Sequence, residues 1–251
     1  MPSDSSVSKR EGFKRIAHRG ASREAPENTL PAIRLAVEKY RVDMVEIDLR
    51  LTRDGVPIVL HDPTLERTTN GKGLARNYDL SQIKKLDAGF RGKGITVPTL
   101  EEVLAEFPET GFCLEIKDRG DEMVERVCEV ILRVPRKGML LVGSFDGKTA
   151  RKFRQKAPAP VQSFLSEDEI VWAYSAFRLG FRKWKLAARY ASIPQSKYRI
   201  RLDEPRWIDF LHHQGVRVFY WTVNEAAEMK KLLEAGADGI VTDNPDLAGV
   251  L

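Results

Sequence analysis

The sequence predicts an α/β fold: one domain in which eight parallel strands, joined by helices, close into a barrel. Three observations predict it. Short β-branched runs alternate with helical patterns, as parallel strands with helical crossovers require. The 251 residues match a length at which α/β barrels form single domains. On two of the strands the charged residues share one face, and a barrel gives such a face an open end.

The strands read in order at 15–18, 43–49, 56–61, 112–117, 139–144, 161–165, 190–193, 216–221 and 239–242. That is one too many for an eight-stranded barrel. The surplus lies between the second and third, which are separated only by residues 50–55, and "TRDGV" is turn chemistry. A parallel crossover needs a dozen or more residues. Strand 56–61 therefore runs antiparallel, as a hairpin extending strand two, and eight strands remain.

Helices fall between the strands. "NTLPAIRLAVEKY" opens with Asn28 or Thr29 as N-cap and Pro31 in the first turn. "PTLEEVLAEF" opens on Thr99 with Glu102 in capping-box spacing. "NEAAEMKKLLEAG" is capped by Asn224 and stopped by Gly236. Segment 62–97 follows neither period and is too long for a plain loop, so it reads as a small insertion over one barrel end. Residues 1–12 are polar, lack the apolar centre of a secretory signal, and read as a disordered leader before the domain at 13–251.

Composition narrows the function classes. No run of about 18 apolar residues is present, so no membrane span is expected. Cys113 and Cys128 are too few for a disulfide framework and read as buried free thiols of a reducing, cytoplasmic protein. The net charge of +5 suits an anionic ligand without identifying one. No nucleic-acid signature appears, and no nucleic-acid partner is expected.

Alternation then locates the chemistry. In "VEIDL", Val45, Ile47 and Leu49 share one face; Glu46 and Asp48 share the other. In "FCLEIK", Cys113, Glu115 and Lys117 lie opposite Phe112, Leu114 and Ile116. The apolar faces must pack on helices, so the charged ones point into the barrel near its C-terminal mouth. One strand with a carboxylate most often has a solvated face; the same pattern on two strands argues against that. Buried charge must be paired or metal-bound. Glu46, Asp48 and Glu115 give three hard oxygen donors suited to Mg²⁺ or Ca²⁺. The alternative is a metal-free network neutralised by Lys117.

His18 ends the first strand in "IAHRG" and His61 ends the hairpin. Two histidines beside carboxylates suit an acid and a base near neutral pH. Arg19 and Lys117 supply fixed positive charge for a phosphate. Trp221, in "VFYWTVN", is either core packing or an aromatic wall against substrate. Asp243, before "NPD", reads most simply as an N-cap; His212 and His213 read as surface residues of a helix. Segment 169–190 mixes aromatic and basic residues. The preferred reading is a barrel helix with its apolar stripe on the strands; the other is a helix on an anionic membrane.

From about residue 15 onward, "AHRGAS…PENTLPAI", "VEIDLRLTRDGVPIVLHDPTLERTTNGKG", "LEIK" and "WTVN…GADGIVTDNPD" occur in order. With these motifs the chain resembles the glycerophosphodiester phosphodiesterase family; 165–190 is less typical. The resemblance implies a TIM-type barrel with a small inserted subdomain after the hairpin on strand two. It implies His18 and His61 as general acid and base, and Glu46, Asp48 and Glu115 around one divalent cation, Mg²⁺ or Ca²⁺. It implies phosphate contacts from Arg19 and Lys117, and, less directly, a substrate contact from Trp221. The expected reaction is hydrolysis of a small-molecule glycerophosphodiester to sn-glycerol 3-phosphate and an alcohol. Alternatives are a lysophospholipase D working at a membrane surface and a non-catalytic glycerol-phosphate sensor.

Overall fold

The computed structural model describes residues 12–89 and 94–247. All but Gly12 of the expected leader lies outside the described residues, as do 90–93 of the expected insertion. The strands in chain order are β1 (Lys14–His18), β2 (Met44–Leu51), β3 (Pro57–Val59), β4 (Gly111–Ile116), β5 (Leu140–Gly143), β6 (Gln162–Ser163), β7 (Tyr190–Ile193), β8 (Ser196–Lys197), β9 (Ile200–Arg201), β10 (Arg217–Tyr220) and β11 (Gly239–Thr242). Eight of them pair in parallel in the order β6-β5-β4-β2-β1-β11-β10-β7. The two ends of this sheet meet through one bridge, Phe164 to Tyr190, and one hydrogen bond, Leu165 N to Tyr190 O at 2.8 Å. The result is a nearly closed TIM-like barrel. β3 pairs antiparallel with β2, from Leu49 opposite Val59 to Leu51 opposite Pro57, as the short "TRDGV" turn requires.

The helices are α1 (Leu30–Arg34), α2 (Leu80–Ile83), α3 (Leu100–Glu106), α4 (Asp121–Arg133), α5 (Gly147–Lys156), α6 (Glu167–Arg178), α7 (Pro205–His213) and α8 (Ala226–Ala235). α1 continues into a π-helical turn, Leu35–Lys39. Thr29, not Asn28, caps α1. Thr99 and Glu102 form the reciprocal capping box of α3, satisfying two otherwise orphaned N–H groups. Gly236 ends α8 in the left-handed region, φ +107°. The N-cap of α8 is Glu225 rather than Asn224; Asn224 is engaged elsewhere.

Three apolar layers organise the barrel. Val45, Ile47 and Leu49 of β2 and Phe112, Leu114 and Ile116 of β4 pack outward with α3 and α4. A second outer cluster joins α6, α7 and α8 to β7 and β10 around Trp207 and Tyr220. The barrel interior holds Ile16, Met44, Cys113, Leu141, Phe164 and Phe219, among others. Both cysteines are free and buried, Cys113 inside the barrel and Cys128 on α4. Beyond β3, residues 60–88 and 97 bury Leu65, Ile83 and Val97 against Ile58 of the hairpin in a separate small cluster.

Segment 169–190 is not one helix. α6 stops at Arg178, and Gly180, φ +78°, turns the chain away. Ile170, Ala173 and Ala176 face the core, but Val171, Trp172, Leu179 and Phe181 are exposed. His212 is half-buried rather than a plain surface residue, because its Nε2 lies 2.7 Å from Asp238 Oδ2. Among the described residues no helix is long and apolar enough to cross a membrane.

Candidate active site

Register sets the site. Parallel pairing puts His18 beside Glu46 and Glu46 beside Cys113; one step nearer the mouth, Asp48 pairs Glu115 and Glu115 pairs Gly143. Side chains in register share a face, so the two rows project into the barrel mouth. Gly143 makes room there: a Cβ would sit 2.9 Å from Glu115 Oε2 and 3.1 Å from the Phe164 ring. After β1 the chain turns sharply through Arg19, φ +58°, and Gly20, φ +83°. A Cβ at Gly20 would meet the Ala32 carbonyl carbon at 2.6 Å, so only glycine fits. The turn brings Arg19 N within 2.8 Å of Glu46 O.

All eight residues singled out from sequence line one cavity of 280 Å³: His18, Arg19, Glu46, Asp48, His61, Glu115, Lys117 and Trp221. His18 Nδ1 lies 2.7 Å from Asp243 Oδ1, and His61 Nδ1 lies 2.6 Å from Asp62 Oδ1. A carboxylate only accepts, so each Nδ1 carries the proton and each Nε2 is left to exchange one. His18 Nε2 is 3.8 Å from Glu46 Oε2.

The two imidazoles differ electrostatically. Burial pulls His18 down, but the Asp243 hydrogen bond and the Glu46 charge outweigh it, and its pKa lies above 6.5. At His61 burial dominates over the Asp62 hydrogen bond, and its pKa lies below 6.5. Asp243 is disfavoured as an anion by burial, yet the bonds from His18 and Asn224 hold it at about 2.

The carboxylates divide as well. Burial opposes ionisation of Asp48, but Lys117 Nζ at 3.0 Å, Arg19 Nε at 3.1 Å and Asn28 Nδ2 at 2.9 Å keep it ionised. Glu46 is pushed up to about 7 by burial and then by Asp48; Glu115 is pushed up to about 8 by burial, with Lys117 opposing. These two carboxyls lack sufficient counter-charge. Three inaccessible polar atoms without a well-directed hydrogen bond also gather here: Arg19 Nε, Asp48 Oδ1 and Glu115 Oε1. The first two make ionic contacts only. This donor set fits a hard divalent cation held by Glu46 and Glu115, with Asp48 shared with Lys117. Among the described residues no three His, Cys, Asp or Glu side chains are already gathered at metal-binding separations.

Several site residues escaped the sequence reading. Asp243 is a partner of His18 rather than an N-cap, and Asn224 holds it, donating from Nδ2 to Oδ2 at 2.8 Å and accepting from Asp243 N at 2.9 Å. The signal was available: a carboxylate one residue past the last strand lies at the barrel mouth. Asn28, φ +58°, clamps Asp48 instead of capping a helix. Arg67 binds both oxygens of Glu27, at 2.7 and 2.8 Å, and also donates to Asp62. Glu27 in turn accepts from Arg19 at 2.8 Å. No sequence period signals this chain, because its members come from two separate loops, the one after β1 and the one after β3. Phe145 stands edge-on to Trp221, centroids 5.7 Å apart, with Lys117 Nζ over its face at 5.4 Å.

Comparisons with known proteins agree with this geometry. Residues 18–247 match the glycerophosphoryl diester phosphodiesterase family. The chain is 31% identical to a glycerophosphodiester phosphodiesterase of Caldanaerobacter subterraneus, over 92% of this chain and 94% of the relative. It is 28% identical to a human lysophospholipase D, over 92% and 83%. A phosphodiesterase of Oleispira antarctica, solved in complex with its product sn-glycerol-3-phosphate, superimposes with a TM-score of 0.79 at 28% identity, covering 94% and 96%. With a match that spans nearly its whole length, the chain belongs to the glycerophosphodiester phosphodiesterase family and is a phosphoric diester hydrolase.

Proposed function

We propose that the chain hydrolyses glycerophosphodiesters to sn-glycerol 3-phosphate and an alcohol, with one divalent cation, Mg²⁺ or Ca²⁺. The observation that carries this reading is the pair of carboxylate-backed histidines that share one cavity with Glu46 and Glu115. A bound cation supplies Lewis-acid charge at a non-bridging phosphate oxygen. Arg19 and Lys117 add fixed positive charge to the same oxygens. His61, neutral near pH 7, takes the proton of the attacking hydroxyl, either water or the substrate's own neighbouring hydroxyl. The new P–O bond forms as the bond to the alcohol breaks; where the neighbouring hydroxyl attacks, water then opens the resulting cyclic phosphate to give sn-glycerol 3-phosphate. His18, protonated more readily, gives its proton to the departing oxygen. Asp243 and Asp62 fix the two rings, and Trp221 with Phe145 walls the apolar side. Residues 62–97 serve as a small inserted subdomain that brings Arg67 and Asp62 to His61.

The test is glycerophosphocholine cleavage with EDTA and then with Mg²⁺ or Ca²⁺. Cleavage should require the added cation and fall by roughly 10²–10⁴ in His18→Ala. Full turnover in His18→Ala overturns the assignment, and undiminished turnover in EDTA overturns the cation.

One observation favours lysophospholipids as further substrates. A second cavity of 210 Å³ shares Glu115, Phe145, Phe164, Ser192 and Trp221 with the first and continues between α6 and the β8–β9 hairpin. Its further walls include Ile170, Val171, Tyr174, Ile193 and Leu202, a lining suited to an acyl chain.

A further inference from the structure

We propose that the β8–β9 hairpin is a selectivity element for substrates that carry an apolar chain, held as one wall of the apolar cavity by the Glu167–Lys197 ion pair. The inference rests on the lysophospholipid reading above and names the residues that decide it.

Topology puts the parts together. α6 starts just past the C-terminal end of β6, and the hairpin just past the C-terminal end of β7. β6 and β7 are the two ends of the sheet that close on each other. The start of α6 and the hairpin therefore stand side by side at the barrel mouth. The apolar cavity lies between them: Ile170, Val171 and Tyr174 line it from α6, and Lys197, Tyr198 and Ile200 from the hairpin. It adjoins the catalytic cavity at Glu115, Phe145 and Trp221, which line both. An apolar chain that enters from the catalytic side has the hairpin as a wall.

The hairpin is fixed at its base. Leu202 N donates to Gln195 O at 2.8 Å, Gln195 Nε2 donates to Glu228 Oε2 at 3.0 Å, and the Tyr220 hydroxyl donates to Leu202 O. Farther out, Lys197 pairs with Glu167. Among the described residues this is the one ion pair or hydrogen bond that joins 196–201 to α6. Glu115 aside, Glu167 and Lys197 are also the only charged side chains among the described residues that line this cavity. Pairing keeps either charge from facing an apolar chain alone.

The tip carries the apolar part of the wall. Ser196 pairs Arg201 and Lys197 pairs Ile200, leaving a two-residue turn, Tyr198-Arg199, with φ of +51° and +66°. Such turns favour Asn-Gly, because both positions are left-handed. Here a tyrosine and an arginine hold that costly conformation. Tyr198 is 80% exposed, and Ile200 and, on α6, Val171 are exposed as well. Lone exposed hydrophobics need no explanation, but these three line one apolar cavity, which marks a ligand-binding groove. A chain lying between α6 and the hairpin buries them. A substrate without a chain has nothing to place there, so this wall acts on one substrate class only.

The experiment compares kcat/KM for lysophosphatidylcholines of increasing acyl length, kept below their micelle-forming concentrations, with kcat/KM for glycerophosphocholine. In the parent, kcat/KM should rise by up to about fourfold per methylene while the cavity fills, and then level off. Lys197→Met and Glu167→Gln should each lower the ratio of long-chain lysophosphatidylcholine to glycerophosphocholine by up to about fivefold, the worth of a partly exposed ion pair. The swapped pair, Glu167→Lys with Lys197→Glu, should restore most of the ratio. Tyr198→Ser with Ile200→Ser should flatten the rise with chain length. The glycerophosphocholine rate checks that each variant is folded. An unchanged or raised ratio in both single variants, or no recovery in the swapped pair, overturns the proposal and leaves lysophospholipid cleavage standing. Cleavage of glycerophosphocholine with no cleavage of any lysophosphatidylcholine overturns the lysophospholipid reading, and the proposal with it.

Discussion

Glu115→Gln gives the sharpest test of the electrostatics at the barrel mouth. Burial raises Glu115 from 4.5 to about 8. At roughly 1.4 kcal/mol per unit, that corresponds to on the order of 5 kcal/mol against the ionised form. Glu115 keeps some access to the cavity, and solvent there reduces the figure to about 2–3 kcal/mol. The sign follows from linkage. Between 4.5 and about 8 the folded state holds a proton that the unfolded state has lost, so cation-free stability falls as pH rises through this window. Glutamine removes that dependence. In urea unfolding with EDTA, Glu115→Gln should match the parent near ~pH 4.5 and exceed it by about 2–3 kcal/mol above ~pH 8. Added Mg²⁺ or Ca²⁺ should raise the stability of the parent and do little for the variant. Equal pH slopes in EDTA, or a variant less stable at high pH, would refute the argument that Glu115 lacks counter-charge.

Further outcomes follow from the same geometry. Plots of kcat/KM against pH should form a bell: His61 acts as base above a pKa lower than 6.5, and His18 as acid below a pKa higher than 6.5. Asp243→Asn should cut kcat by about 10²-fold with KM little changed, and should move the alkaline limb down, since the His18 pKa loses its main support. Arg67→Ala should lower kcat and raise KM, together about tenfold in kcat/KM. Arg67→Lys should recover only part, because a lysine cannot bridge Glu27 bidentately while holding Asp62. Gly143→Ala should cost about 1–3 kcal/mol in urea unfolding, with a loss of activity, as its Cβ meets Glu115 and Phe164.

Period-two alternation made most of this architecture legible. Val45, Ile47 and Leu49 could pack only outward, which turned Glu46 and Asp48 inward, and the short "TRDGV" turn forced β3 to run antiparallel. Contacts that join distant loops were not legible. Arg67 meets Glu27 across 40 residues and Asp243 meets His18 across 225, and no local pattern records such a pairing. Asp243 shows a second limit: before Asn-Pro, the local capping explanation suffices and hides the tertiary one. The β8–β9 hairpin escaped because Tyr198-Arg199 lacks the Asn-Gly chemistry that marks such turns. The apolar stripe expected over 169–190 failed beyond Arg178 because a helix cannot continue through the left-handed Gly180.

The barrel seam has a dynamic consequence. β6 is two residues long, and one bridge with one hydrogen bond joins its edge to β7. Every other junction of the ring is a multi-residue ladder or flanks one. Amides at the seam should therefore exchange with solvent sooner than those of β2 and β4, through local opening rather than global unfolding. Phe164 and Leu165 on one side of the seam and Ile193 on the other all line the apolar cavity. An apolar ligand there would staple the two edges together, so the slowing of hydrogen exchange at Leu165 reports occupancy of the cavity without any need for turnover.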